Sequence, residues 1–167
     1  VQTFRALQVL AVTVLCASLF VTAVGIHQGF APFGCAKMAS GDDKDKVEPD
    51  GRPCELVEDC SGPDAEPGAD YVCERIGLFG TTSVAQGRVR YRGVLQDPNE
   101  VALALSAALP FAFALRERKK TTGRMVLLIL ALFAIALCAV LTKSRGGQLV
   151  FTAAIGAYFI KKYGFKG

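Results

Sequence analysis

One stretch decides the fold of this chain: MVLLILALFAIALCAVLT, residues 125–142, in which every side chain is uncharged. An α-helix rises about 1.5 Å per residue, so this run approaches the roughly 30 Å thickness of a bilayer's hydrocarbon core. Basic residues flank it, with Arg124 before it and Lys143 and Arg145 after it. The run therefore predicts a transmembrane helix, and three further apolar runs follow the same pattern.

The composition of the whole chain is typical of a membrane protein. Of the 167 residues, 51% are hydrophobic, and the mean hydropathy is +0.35. Charged residues make up 20%, against about 25% in an average soluble domain, and they are crowded into residues 37–74, 88–92 and 116–124. Such segregation excludes an ordinary globular domain and a disordered chain. We expect no nucleic-acid partner, because the basic residues lie beside membrane segments.

The first and last apolar runs predict two more membrane helices. Residues 6–26 are long enough to span. A signal peptide is the alternative, although its apolar region is usually only about 7–15 residues long. Residues 148–160 form a shorter run that ends in Lys161 and Lys162. Because the chain starts at Val1 rather than at Met, we expect it to be a piece of a longer protein.

The second apolar run, residues 101–115, has a clear start signal. Asp97 is a good N-cap residue, Pro98 suits the first helical position and Glu100 suits the third. Pro110 lies inside the run and predicts a kink, because proline lacks the backbone N–H that an interior helical residue donates.

The positive-inside rule orients the four helices. The basic loop at 116–124 is expected on the cytoplasmic side together with Lys161, Lys162 and Lys166, which leaves the Cys-rich segment outside. The predicted fold is an all-α integral membrane protein with about four transmembrane helices and a disulfide-rich external loop between the first and second. The predicted segments are transmembrane helices at 1–26, 97–115, 125–142 and 148–160, an external acidic loop at 27–96 with a basic strand at 88–92, a cytoplasmic loop at 116–124, an external turn at 143–147 and a cytoplasmic end at 161–167.

The cysteines divide between the external loop and the apolar runs. Cys35, Cys54, Cys60 and Cys73 lie in the loop, and Cys16 and Cys138 lie in apolar runs. An even number of exported cysteines predicts two disulfides, with three possible connectivities. A zinc site is the alternative, but the loop lacks a C-x-x-C spacing and the sole histidine, His27, is at the membrane edge. The acidic residues of the loop do not follow a calcium-loop pattern, so we expect a solvated acidic surface and no metal.

Arginines on the external side oppose the positive-inside rule and need another explanation. Arg88, Arg90 and Arg92 alternate along the chain, so in a strand they share one face that suits a diphosphate. The alternative is that they balance the acidic loop. Arg145 lies between two apolar runs, where a charge is costly and usually lines a polar cavity. A hairpin turn with an arginine reaching toward the interface is the simpler alternative.

Two segments together resemble the O-antigen ligase and O-antigen polymerase superfamily. The first is RGVLQDPNEVA, residues 92–102, at the start of an apolar helix, and the second is TKSRGG, residues 142–147, between two later helices. Their order and separation also fit. The resemblance covers roughly residues 88–167.

The resemblance implies a multi-span α-helical glycosyltransferase in the bacterial inner membrane. Such enzymes move a glycan from a polyprenyl diphosphate carrier to a periplasmic acceptor, either lipid A-core or another repeat unit, without a metal ion or other cofactor. Arg92 and Arg145 stand at the arginine positions of the two segments, so the resemblance implies that they bind the donor diphosphate, with lesser roles for Arg90 and Arg88. The implied partners are the lipid-linked donor, the acceptor glycan and membrane lipid.

The chain differs from the family in two respects. It has fewer spans, and it lacks the large later loop that supplies the general base, so no catalytic residue is expected within it. A non-enzymatic four-span protein, whose disulfide-bonded outer loop binds or senses a partner, is the competing interpretation. It explains the cysteines better and the external arginines worse.

Overall fold

The fold combines a helical bundle with a small sheet. The computed structural model describes residues 2–38, 47–63, 65–84, 87–91, 95, 97–118 and 121–164. Within them lie the helices α1 (Gln2–Phe30), α2 (Pro98–Ala107), α3 (Leu109–Arg118), α4 (Thr122–Leu141) and α5 (Arg145–Tyr163), and the strands β1 (Phe33–Met38), β2 (Val47–Pro53) and β3 (Tyr71–Arg75). The described chain is therefore mostly helical, and the expected all-α fold is confirmed only in part, because the Cys-rich segment forms a small sheet.

The second apolar run begins where its start signal predicts. The Asp97 carboxylate accepts a hydrogen bond of 2.6 Å from the Asn99 backbone N–H, and Pro98 is the first residue of α2. The predicted kink is also present: α2 ends at Ala107, and α3 begins at Leu109, one residue before Pro110. A proline near the start of α3 needs no hydrogen-bond partner for its nitrogen, which is why the break precedes it.

Within the described residues, three helical segments are long and apolar enough to cross a membrane: Arg5–Phe30, Pro98–Glu117 and Thr122–Leu141. Their outer faces carry large apolar side chains, including Leu127, which is 66% exposed, and Phe133, which is 69% exposed. Helix α5 is not among the three, because its apolar run is shorter and lies between Gln148 and the terminal lysines Lys161 and Lys162. A fourth span therefore remains a prediction.

The helices pack so that the described residues of the basic loop and the terminal lysines of α5 lie at one end of the bundle. α1 lies against α3 and α4, and α2 lies mainly against α5. At the basic end, the Tyr158 hydroxyl of α5 donates a 2.6 Å hydrogen bond to Glu117 of α3. At the other end, Arg75 of β3 donates a 2.6 Å bond to the carbonyl of Gly29 in α1. The sheet and the described part of the basic loop thus lie at opposite ends of the bundle, and the side of the membrane that each end faces stays a prediction.

The Cys-rich segment forms an antiparallel sheet of order β2-β1-β3 and is crosslinked by two disulfides. Cys35 bonds to Cys60 and Cys54 bonds to Cys73, while Cys16 and Cys138 are free thiols. The prediction of two disulfides among these four loop cysteines is confirmed, and the connectivity is now assigned. The sulfur atoms of Cys35, Cys54 and Cys60 lie within 4.8 Å of one another, but disulfide sulfurs do not offer the thiolates that zinc requires.

The turn between the two disulfides is held by one carboxylate. Asp59 accepts backbone hydrogen bonds from Leu56 at 2.9 Å and from Glu55 at 2.8 Å. These two N–H groups lower the pKa of the Asp59 carboxyl below its usual 3.8, because they stabilise the charged form. The turn leads directly into the buried half-cystine Cys60.

The basic strand expected at 88–92 is not formed within its described part, residues 88–91. Arg88 and Tyr91 make only isolated bridges, to Val84 and Leu95 respectively. A strand needs a neighbouring edge over several residues, whereas here Val89 turns into the helical core. Arg92 lies outside the described residues.

Candidate functional site at the turn between α4 and α5

The candidate site is centred on the turn that links α4 to α5. The sequence predicts a turn at 143–147, but α5 already begins at Arg145, so Gly146 and Gly147 are helical. Lys143 has φ 52°, a left-handed conformation that is uncommon for a residue with a side chain. The reversal of the chain is therefore completed within Thr142, Lys143 and Ser144.

Two short side chains fix the start of α5. Ser144 is the N-cap, and its hydroxyl accepts a 3.0 Å hydrogen bond from the Gly147 backbone N–H. The Ser144 backbone N–H donates in turn to the hydroxyl of Thr142, at 3.3 Å. Both side chains are buried. This network holds the backbone of Arg145, the first residue of α5, in one place.

Gly147 brings α5 against α2. A Cβ atom on Gly147 would lie 2.1 Å from Cβ of Ala102 and 3.3 Å from its Cα. The Ser106 hydroxyl bridges the same crossing, with hydrogen bonds of 2.7 Å to the carbonyl of Ala102 and 3.4 Å to that of Gly147. The absence of a side chain at Gly147 therefore allows the close crossing of α2 and α5. The two helices that carry the resembling segments are thereby joined.

The segment around Arg88 docks onto the end of α4. The Arg88 guanidinium donates from Nε to the carbonyl of Thr142 at 3.3 Å, and the Val89 backbone N–H donates to the carbonyl of Leu141 at 3.3 Å. Val89 is fully buried, and its side chain lies against Gly25 of α1. Arg88 is therefore held at the turn that leads to Arg145.

Arg90 is engaged in a different set of contacts. Its guanidinium donates to the carbonyl and hydroxyl of Thr82, at 2.9 Å and 3.2 Å, and lies 3.6 Å from the carboxylate of Glu74. The side chains of Arg90 and Glu74 are both only 13% exposed. These contacts favour the alternative interpretation for this residue, in which it balances an acidic group of the loop.

The four arginines predicted to bind the diphosphate do not form one cluster among the described residues. Arg145 is exposed in the first turn of α5, where the backbone N–H groups of the helix add partial positive charge. Arg88 is bound to the carbonyl of Thr142 at the end of α4, Arg90 faces Glu74, and Arg92 falls outside the described residues. The Arg145 side chain has no hydrogen-bond or ionic partner among the described residues, so its guanidinium is free to bind an anion.

Gln28 is a positioning residue that sequence reasoning missed. It is fully buried near the end of α1, and its side-chain oxygen accepts a 3.0 Å hydrogen bond from the Arg90 backbone N–H. A signal exists in the chain: Gly25 and Gly29 flank it with the small-x-x-x-small spacing of close helix packing. A Cβ on Gly29 would lie 2.6 Å from the side chain of Leu141 in α4. The absence of that Cβ lets the end of α1, including Gln28, lie close to the end of α4.

A scan of protein-family models, a search of curated proteins and a search of solved structures each find no match to this chain, so its function has to be argued from its own residues.

Proposed function

We propose that this chain is part of a membrane glycosyltransferase of the O-antigen ligase or polymerase type, located in the bacterial inner membrane. It moves a glycan from a polyprenyl diphosphate carrier to a periplasmic acceptor. The observation that carries the proposal is that Arg88 is bound to the Thr142 carbonyl at the end of α4, three residues before the exposed Arg145 that begins α5, in a bundle with membrane-length helices. A lipid-linked donor needs that combination of an apolar surface and fixed cations.

The chemistry expected of these cations is stabilisation of a leaving group. When the glycan leaves its carrier, negative charge develops on the diphosphate, and a fixed guanidinium stabilises that charge more than it stabilises the starting state. Arg145 offers paired N–H donors, and the capped start of α5 keeps its backbone in position. Arg92 is proposed as the second donor-binding residue, with Arg88 and Arg90 in lesser roles, and the general base comes from outside this chain.

Variants of Arg145 in the full-length protein test the proposal. Arg145→Ala is expected to abolish transfer from a polyprenyl-diphosphate-linked glycan without changing protein level. Arg145→Lys is expected to recover little, because lysine keeps the charge but lacks the planar pair of donors.

The matched control is Lys161→Ala, which removes an exposed basic side chain at the opposite end of the bundle. It should transfer normally. Full activity of Arg145→Ala, or near-normal activity of Arg145→Lys, would contradict the assigned role.

A second candidate is a non-enzymatic protein whose outer loop binds a partner. The observation in its favour is the exposed apolar pair Leu56 and Val57, which are 63% and 52% exposed on the disulfide-bonded segment. The reading frame beyond Gly167 distinguishes the two candidates. Further membrane spans and a long loop containing histidine favour the transferase, whereas a stop codon at that point favours the binding protein.

A further inference from the structure

A cavity of about 290 Å³ lies between α1, α3 and α4, toward the basic end of the bundle. Its wall is apolar over most of its length, with Leu15 and Leu19 from α1, Ala112 from α3 and Leu128 and Ala131 from α4. Two arginines, Arg116 and Arg124, close the basic end of the same cavity. This cavity is separate from the turn between α4 and α5, which is at the other end of the helices.

The cavity is continuous with the outer surface of the bundle. Val12 and Leu127 line the cavity, and they are also 42% and 66% exposed on the outside of the bundle. Both lie on helices long enough to cross a membrane. A hydrocarbon chain of the surrounding bilayer therefore reaches the cavity sideways, without passing through water.

Arg116, in the last turn of α3, has hydrogen-bond donors that lack a good acceptor. The Arg116 Nε–H group points to the sulfur of Met125 at 3.3 Å, a weak acceptor, and its Nη1 atom is buried with no hydrogen-bond partner among the described residues. Leaving a buried donor without an acceptor is costly. Arg124 uses one nitrogen on the carbonyl of Leu115, at 3.0 Å, and retains its other donors.

The charge of these two arginines is not balanced within the cavity. Among the described residues, no carboxylate lines it. The nearby Glu117 is turned to α5, where it accepts from Tyr158 at 2.6 Å and lies 3.5 Å from Lys162. An anionic group therefore complements the charge of Arg116 and Arg124 at the basic end of the cavity. A hydrocarbon chain complements the apolar side chains that line most of the remaining wall.

We propose that this cavity binds an anionic phospholipid of the inner leaflet. The phosphate accepts hydrogen bonds from Arg116 and Arg124, and one acyl chain lies between α1, α3 and α4. Basic pockets between membrane helices suit anionic headgroups in this way. The proposal does not depend on glycan transfer, because it concerns the opposite end of the bundle.

Native mass spectrometry of the full chain in detergent tests the proposal. The probes are dioleoyl phosphatidylglycerol and dioleoyl phosphatidylcholine, which share their acyl chains and differ in net charge. We expect retention of the anionic lipid and weaker retention of the other. Arg124→Gln should weaken the anionic lipid about fivefold, which corresponds to roughly 1 kcal/mol for a basic residue at a membrane surface, and Arg116→Gln should act similarly.

The matched control is Lys161→Gln, which removes an exposed basic charge at the same end but outside this cavity. It should leave binding unchanged. An equal loss in Lys161→Gln would show a diffuse attraction and overturn the proposal, as would equal retention of the two lipids.

Two competitors on the unmodified protein distinguish the contribution of the headgroup to binding from that of the acyl chain. They are short-chain dihexanoyl phosphatidylglycerol and inorganic phosphate. Neither should displace the dioleoyl lipid at equal concentration. Efficient displacement by phosphate would overturn the acyl-chain part. These arms require no substitution, so they remain decisive even where Arg116→Gln fails to fold.

Discussion

The crossing of α2 and α5 gives the sharpest stability prediction, through Gly147→Ala. The added Cβ would lie 2.1 Å from Cβ of Ala102, whereas ordinary contact begins at 3.4 Å. Because the opposing atom belongs to a short, rigid side chain, the helices have to separate by roughly 1 Å. Overpacking of this kind costs about 1–3 kcal/mol, and we expect the upper end here.

Part of that cost is offset by helix propensity. Alanine is better than glycine in a helix by about 1 kcal/mol, so the net destabilisation expected for Gly147→Ala is about 2 kcal/mol. Gly146→Ala is the matched control, because nothing lies within 4 Å of its added Cβ. That variant should gain about 0.5–1 kcal/mol. Reversible unfolding in mixed detergent micelles, followed by helical circular dichroism, measures both values.

A second substitution isolates the contact itself. Ala102→Gly removes the opposing methyl group, so the double variant with Gly147→Ala should be more stable than the sum of the two single effects predicts. If Gly147→Ala is as stable as Gly146→Ala, or if the two substitutions are additive, the close crossing of α2 and α5 is refuted.

Two further predictions concern the residues between α1 and α2. Because backbone N–H groups of Leu56 and Glu55 lower the pKa of Asp59, the stabilisation that Asp59 gives is present above about pH 4 and is lost as the pH falls through the lowered value. The protection factors of these two amides, measured against the intrinsic exchange rate at each pH, should therefore fall in acid, and Asp59→Ala should already lack this protection at pH 7. Arg90→Ala should destabilise the fold, because it removes a guanidinium that lies 3.6 Å from the largely buried Glu74 carboxylate and donates two hydrogen bonds to Thr82. Thermal unfolding measures this, and an unchanged melting temperature would contradict it.

The sequence was most informative where the signal is local. Asp97 and Pro98 define a helix start through neighbouring atoms alone, and the break before Pro110 follows from the chemistry of one residue. The charge pattern predicted that the basic loop and the Cys-rich segment lie on opposite sides of a membrane, and this assignment stays a prediction. The even number of loop cysteines predicted two disulfides.

Features that depend on distant residues were not predictable. Cys35 lies opposite Cys73 in the sheet, yet each bonds to a different cysteine, and no spacing rule reveals this. The close approach of Gly147 to Ala102 is known only from the helix crossing. The alternation of Arg88 and Arg90 favoured a strand, whereas the burial of Val89 against the helices prevented one.

The most direct test of the central claim is binding of the donor lipid itself. Native mass spectrometry or a fluorescence titration compares a polyprenyl diphosphate with the matching monophosphate on the full-length protein. Charge-assisted hydrogen bonds are worth about 1.5–3 kcal/mol, so Arg145→Gln should weaken the diphosphate lipid at least tenfold, while Lys161→Gln leaves it unchanged. Unaltered binding in Arg145→Gln, or equal affinity for the monophosphate, would contradict the account.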